Sequence, residues 1–207
     1  MVIPEQKFFL FGLGDRAKFI YKGGKLINAL NGEIAYQWKV EREEFAYADY
    51  QVTLFLKSGE ILVLREDETG FYIDEKCITA SSINLPTFDG HKYAEHLRIL
   101  HQEILFNIKD GKPLPNIFVY DKPWYRDGAM VGMVLNYTNN LHLIKDWILG
   151  ITDLYDRNNK GNCEPDNLGQ LLYLVSLVAD KSHPIVSKII DEAKRITEGG
   201  LLRGITD

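Results

Sequence analysis

Leu85-Pro-Thr-Phe-Asp-Gly90 divides the chain into two stretches with different hydrophobic periods. Before it, apolar residues recur every second position. Ile34, Tyr36, Trp38 and Val40 alternate with polar or small residues, as do Tyr50, Val52, Leu54 and Leu56. Lys57-Ser-Gly-Glu60 then leads into Ile61-Leu-Val-Leu64, which predicts two strands about a short connection. Phe8 to Phe11 and Phe71 to Ile73 add aromatic-rich strands, and Tyr21-Lys-Gly-Gly-Lys25 reads as a turn. Several short strands at regular spacing imply an antiparallel sheet or sandwich over residues 1–85.

After Gly90 the period becomes 3.6. Asp89 fits the N-cap of a helix presenting Tyr93, Leu97, Leu100, Ile104 and Ile108 on one face, stopped by Lys109-Asp-Gly111. A Pro-rich connection follows. Asp127 fits the cap of a second helix, Gly128 to Asn136, apolar nearly all round and so expected to be buried. Asn140 opens a third, with Leu141, Ile144, Trp147, Ile148 and Ile151 inward. Asn167, with Gln170 three residues on, resembles a capping box for a fourth helix through Ala179. Pro184 suits the first position of a fifth, with Val186, Ile189, Ile190, Ala193 and Ile196 inward, ending at Glu198-Gly-Gly200. The fold class is therefore α+β, a β domain over 1–85 followed by antiparallel helices over 86–207.

Composition narrows the partners. The 207 residues are 45% hydrophobic and 26% charged, as in an ordinary globular protein. A net charge of −5, without a dense Lys/Arg cluster, argues against nucleic acid. No apolar run approaches the ~20 residues that span a bilayer, which argues against a membrane partner. Met1 to Phe11 carries an acidic residue ahead of a very short apolar stretch and does not read as a signal peptide. A cytoplasmic protein is expected, or an exported one without its leader. Cys77 and Cys163 read as two buried thiols, with a bridge between them as the other possibility.

Two segments carry candidate chemistry. Lys122-Pro-Trp-Tyr-Arg-Asp-Gly-Ala-Met130 gathers two aromatic rings, a guanidinium and a carboxylate at a loop-to-helix junction. Sugar recognition uses these groups: a ring stacks on the apolar face of a pyranose, and Arg and Asp bond its hydroxyls. The same residues also fit a structural role, with Asp127 an N-cap, Arg126 its surface partner and the aromatics in the core. The second segment, Thr152 to Asp166, is a polar loop of a length unusual between helices unless it is functional. Asp156, Asn158 and Gly161 match positions one, three and six of an EF-hand, but Lys160 at the fifth and Asn167 at the twelfth exclude that motif. Glu164 or Asp166 could face a cleft as general acid or hydroxyl ligand. A helix N-terminus favours the charged carboxylate, which opposes the acid role and favours Asp166 and Asn167 as caps.

Other motifs fail. Phe11-Gly-Leu-Gly-Asp-Arg16 has only GxG and no following helix, so it is not a dinucleotide fingerprint. His91, His96 and His101 recur every five residues, which spreads them around a helix. No HExxH, GxSxG or Walker sequence is present. The expectation is no metal and no cofactor.

Trp124-Tyr-Arg-Asp-Gly-Ala-Met130, continuing through Met133 to Trp147, resembles the second and third helices of the six-hairpin glycosidase superfamily, the glucoamylase-like α/α toroids. Glu164-Pro-Asp-Asn-Leu-Gly-Gln-Leu-Leu-Tyr173 is similar to a loop entering a toroid helix. The resemblance implies that residues 86–207 are the start of an (α/α)6 toroid, and that the chain is the N-terminal portion of a glycoside hydrolase, inactive alone. It implies that Arg126 and Asp127 grip an oligosaccharide or glycoside, with Trp124 or Tyr125 as a stacking wall, Asp166 as a further contact and Glu164 as the acid. It also implies apolar helix faces left for other helices, hence a homo-oligomer. The alternative is a non-catalytic carbohydrate-binding or assembly module.

Overall fold

A computed structural model of the protein describes residues 7–204; the rest of the N-terminal reading, residues 1–6, and residues 205–207 lie outside it. The chain forms two compact units, divided between Phe106 and Asn107.

The first unit holds two antiparallel sheets in which each strand pairs with its sequence neighbour. One comprises β1 (Phe9–Phe11), β2 (Phe19–Lys22), β3 (Lys25–Asn28) and β4 (Ile34–Gln37). The other comprises β5 (Val40–Ala46), β6 (Gln51–Leu56), β7 (Ile61–Glu66), β8 (Gly70–Ile73) and β9 (Lys76–Ala80). In the β6–β7 pair Val52 lies opposite Leu64, and Val52, Leu54 and Leu64 are fully buried, as alternation requires. Gly23 and Gly24 turn β2 into β3 with positive φ, as a two-residue hairpin demands. The sheets share an aromatic core in which Phe71 stacks on Phe11 at 4.5 Å and Phe19 approaches at 5.6 Å. Tyr21 donates its phenol hydrogen to Glu43.

The first helix, α1 (Ala94–Phe106), belongs to this unit, so the division by packing falls about twenty residues beyond the change of period. Its buried residues are His101, Gln102, Leu105 and Phe106, whereas Tyr93 and Leu100 of the expected face are exposed. Polar residues within the face caused the misreading. Gln102 donates to the Ala48 carbonyl, and the Leu105 carbonyl accepts from the Gly14 amide. The helix starts beyond Asp89, after a turn with positive φ at Phe88 and Gly90.

Burial of His101 pulls its imidazole down to about 4 from 6.5. Between those values the unfolded chain takes up a proton that the folded one refuses, so stability falls as pH drops through that window. The first unit is expected to lose about 2–3 kcal/mol between pH 7 and pH 4 through this residue. Urea unfolding at pH 7, 5 and 4 checks it: His101→Gln should flatten the acid slope, and an unchanged slope would refute the assignment.

In the second unit Lys109-Asp-Gly111 does not end a helix. It turns β10 (Ile108–Lys109) into β11 (Lys112–Pro113), with Asp110 and Gly111 both at positive φ. The helices are α2 (Tyr125–Tyr137), α3 (Lys145–Leu149), α4 (Asp166–Val178) and α5 (Pro184–Arg195). Helix α2 packs on α4, brought close by Gly132, whose missing side chain leaves room for Leu174 and Leu177. It is not buried all round: Met130, Met133 and Tyr137 are exposed. The expected third helix is a 3-10 turn at Leu141–Leu143 followed by the short α3. Its apolar face is largely as read, with Ile144, Ile148 and Ile151 buried. Pro184 does open α5, but Ile190 is exposed. Beyond α5, Gly199 and Gly200 turn β12 (Thr197–Glu198) into β13 (Leu201–Leu202). No helix among the described residues is long and apolar enough to cross a membrane.

Candidate functional site

The two segments singled out in the sequence meet at the N-terminus of α2. An α-helix begins with amides that lack intrahelical acceptors. Here the Tyr125 amide donates to Asp156 Oδ2 at 2.8 Å, so the carboxylate that caps α2 comes from the long loop. Asp127, expected in that role, lies inside the first turn. The loop is held at three further points. Asn158 Nδ2 donates to the Pro123 carbonyl at 2.8 Å, the Tyr125 hydroxyl donates to the Asp153 carbonyl at 2.9 Å, and the Tyr155 hydroxyl donates to Glu192 at 2.8 Å. Asp156 Oδ1 also accepts from the Asn158 amide, so both oxygens of this loop carboxylate bond protein amides.

That clamp fixes what emerges from it. Arg126 is exposed, and its Nη2 reaches Asp166 Oδ2 at 3.2 Å and Glu164 Oε1 at 3.4 Å. Hydrogen bonding to Asp166 and the nearby carboxylate charges hold the guanidinium above its ordinary range. Asp166, the first residue of α4, also accepts from Gln170 Nε2 at 2.7 Å, and Glu164 accepts from Asn159 Nδ2 at 3.3 Å. A guanidinium, two carboxylates and two side-chain amides thus share one polar surface. Their pairs are solvent-screened and contribute little to stability.

The expected site residues separate into two groups. Arg126, Glu164 and Asp166 come together. Trp124 stands beside them in sequence, partly exposed, with its ring edge-on to Tyr120 at 5.8 Å. Asp127 is half-buried in the first turn of α2. Tyr125 cannot serve as a stacking wall, because it is buried and its hydroxyl is engaged; burial, with Asp153 and Asp156, raises its phenol. Asn167 is not an N-cap but a buried clamp: its Oδ1 accepts from the Asp156 amide at 3.1 Å and its Nδ2 donates to Gln170. Sequence reading missed Asn159 and Gln170 as neighbours of the site, and the contact of Tyr120 with Trp124. The i,i+4 spacing of Asp166 and Gln170 was the available signal.

Among the described residues no group of three or more His, Cys, Asp or Glu side chains could hold a metal ion. No family model, curated protein or solved structure matches this chain.

Proposed function

We propose that the surface formed by Arg126, Glu164 and Asp166 binds a saccharide, with Trp124 and Tyr120 flanking it. The observation carrying this reading is the exposed guanidinium bracketed by two carboxylates at 3.2 and 3.4 Å, two residues along the chain from Trp124, whose ring meets Tyr120. Vicinal hydroxyls each offer one donor and two acceptor sites, so they suit a surface that mixes carboxylates with a guanidinium. The amides of Asn159 and Gln170 hold the two carboxylates in advance, which lowers the ordering cost on binding.

The similarity to six-hairpin glycosidases supplies the ligand class, and in that setting Glu164 would be the acid of a glycoside hydrolase. Glu164 and Asp166 both accept from the Arg126 guanidinium, which supports a holding role for the two carboxylates.

Titration with gluco-, xylo- and chito-oligosaccharides, followed by thermal shift and calorimetry, tests the proposal. At least one series should bind saturably without turnover. Arg126→Ala should weaken it by roughly 10- to 100-fold, the range of hydrogen bonds to charged groups. Absence of saturable binding across the panel, or an Arg126→Ala protein that binds undiminished, would overturn it.

A further inference from the structure

Within the second unit, the long loop before α4 and one side of α5 enclose a polar depression of about 360 Å³. Thr152, Asp153, Tyr155 and Arg157 line it from the loop, and Lys188 and Glu192 line it from the helix. Its lining shares no residue with the Arg126 surface. Lys188, Glu192 and Arg195 follow one another at the i, i+4, i+7 spacing of one helix face. That spacing would let Lys188 pair with Glu192, but the carboxylate is already taken. Arg195 grips it with Nε on Oε2 and Nη2 on Oε1, both at 2.7 Å, and the Tyr155 hydroxyl donates to Oε1 at 2.8 Å. Hydrogen bonding, to Arg195 first, holds the Glu192 carboxyl down to about 2 from 4.5, so its charge is permanent and balanced by Arg195.

Two cations are left over. Among the described residues neither Arg157 nor Lys188 is paired with a carboxylate. Arg157 is placed by its neighbours: Asp156 and Asn158, on either side, are both bound into the clamp at the start of α2. Its own φ is +55°, a left-handed backbone that suits glycine or asparagine better than a long side chain. The loop thus keeps a guanidinium at a pinned and unfavourable position. Cations lining one hollow repel each other unless an anion lies between them. A guanidinium presents a bidentate fork to phosphate oxygens, and an ammonium beside it acts as a compact point charge. Thr152 adds a hydroxyl, and the Asp153 carboxylate is the opposing charge of the lining.

We propose that this depression binds a phosphate dianion between Arg157 and Lys188, as the free ion or as the phosphate of a small monoester. Calorimetry at pH 8, where phosphate monoesters are dianions, and at constant ionic strength compares inorganic phosphate, glycerol 3-phosphate and glycerol. Both phosphates should bind saturably and glycerol should not. Preference for the monoester identifies an organic ligand, and equal affinity identifies the ion itself. Arg157→Gln and Lys188→Gln, both at exposed positions, should each weaken binding by roughly tenfold. Asp153→Asn should strengthen it by about twofold, since an opposing surface charge is removed. Arg126→Ala should leave it unchanged, which separates this site from saccharide binding. Absence of saturable phosphate binding, binding that survives in Arg157→Gln and Lys188→Gln, or its loss in Arg126→Ala would overturn the assignment.

Discussion

Glu66→Ala is expected to destabilise the first unit by about 3–5 kcal/mol, the cost of leaving a buried charge without its partner. The Glu66 side chain has no solvent exposure, and neither does that of Arg16, which donates to it at 3.0 Å. Glu66 Oε2 accepts from the Gly12 amide at 2.8 Å and Oε1 from the Leu13 amide at 2.7 Å. Arg16 further donates to the carbonyls of Asp67 and Ser81, while its Nε has no partner among the described residues. Desolvation pushes the Glu66 carboxyl above its usual range, against the pull of the two amides and the guanidinium. Truncation strands a guanidinium and two amides together. Hydrogen exchange of the β6–β8 amides in increasing urea reads this unit separately from the other. A loss below about 1 kcal/mol would show that water or rearrangement replaces the carboxylate.

Gly12→Ala should cost at least about 3 kcal/mol, for a reason local to the backbone. Gly12 has φ +110°, where an L side chain is strained, and an added Cβ would sit 2.2 Å from the Ala17 carbonyl oxygen. The obstructing atoms belong to the main chain of Ala17 and Lys18, so no rotamer relieves the clash. Gly32→Ala is the control. Its φ is also positive, at +77°, but nothing lies within 4 Å, and about 1 kcal/mol is expected. The same exchange measurement ranks the two, and equal effects would remove the steric argument. Gly12-Leu-Gly14 thus has a structural explanation. The segment, which has too few glycines for a dinucleotide fingerprint, presents the Gly12 and Leu13 amides to a carboxylate of its own chain.

How far the sequence could be read depended on the range of the interaction. Strands β6 and β7 and the turn between β2 and β3 were legible because alternation and a glycine pair act within a few residues. Pro184 was legible for the same reason, since its ring fixes φ at the start of a helix. The buried face of α1 was not. Apolar residues lie on more than one side of that helix, and Gln102 turns inward only because the Ala48 carbonyl is there to receive it. The cap of α2 failed similarly: Asp127 has the right chemistry at nearly the right position, yet the carboxylate that serves is 31 residues away. At the candidate site, residue types were readable and mutual placement in part. Arg126 and its two acids were named from separate segments, but the clamp that brings them together depends on Asp156, Asn158 and Asn167, each of which had a plausible role elsewhere.

Among the described residues both sheets of the first unit are open, so their outermost strands present backbone donors and acceptors that a strand from another molecule could extend. In the five-stranded sheet one such margin is β5, whose Glu41, Arg42 and Glu44 are exposed and whose register slips between Val40 and Arg42. An incoming strand would have to desolvate those charges and follow a kinked ladder. At the opposite margin β9 begins with exposed Lys76 and meets β8 across another irregularity. Charge and broken register at these two margins thereby discourage sheet-to-sheet polymerisation.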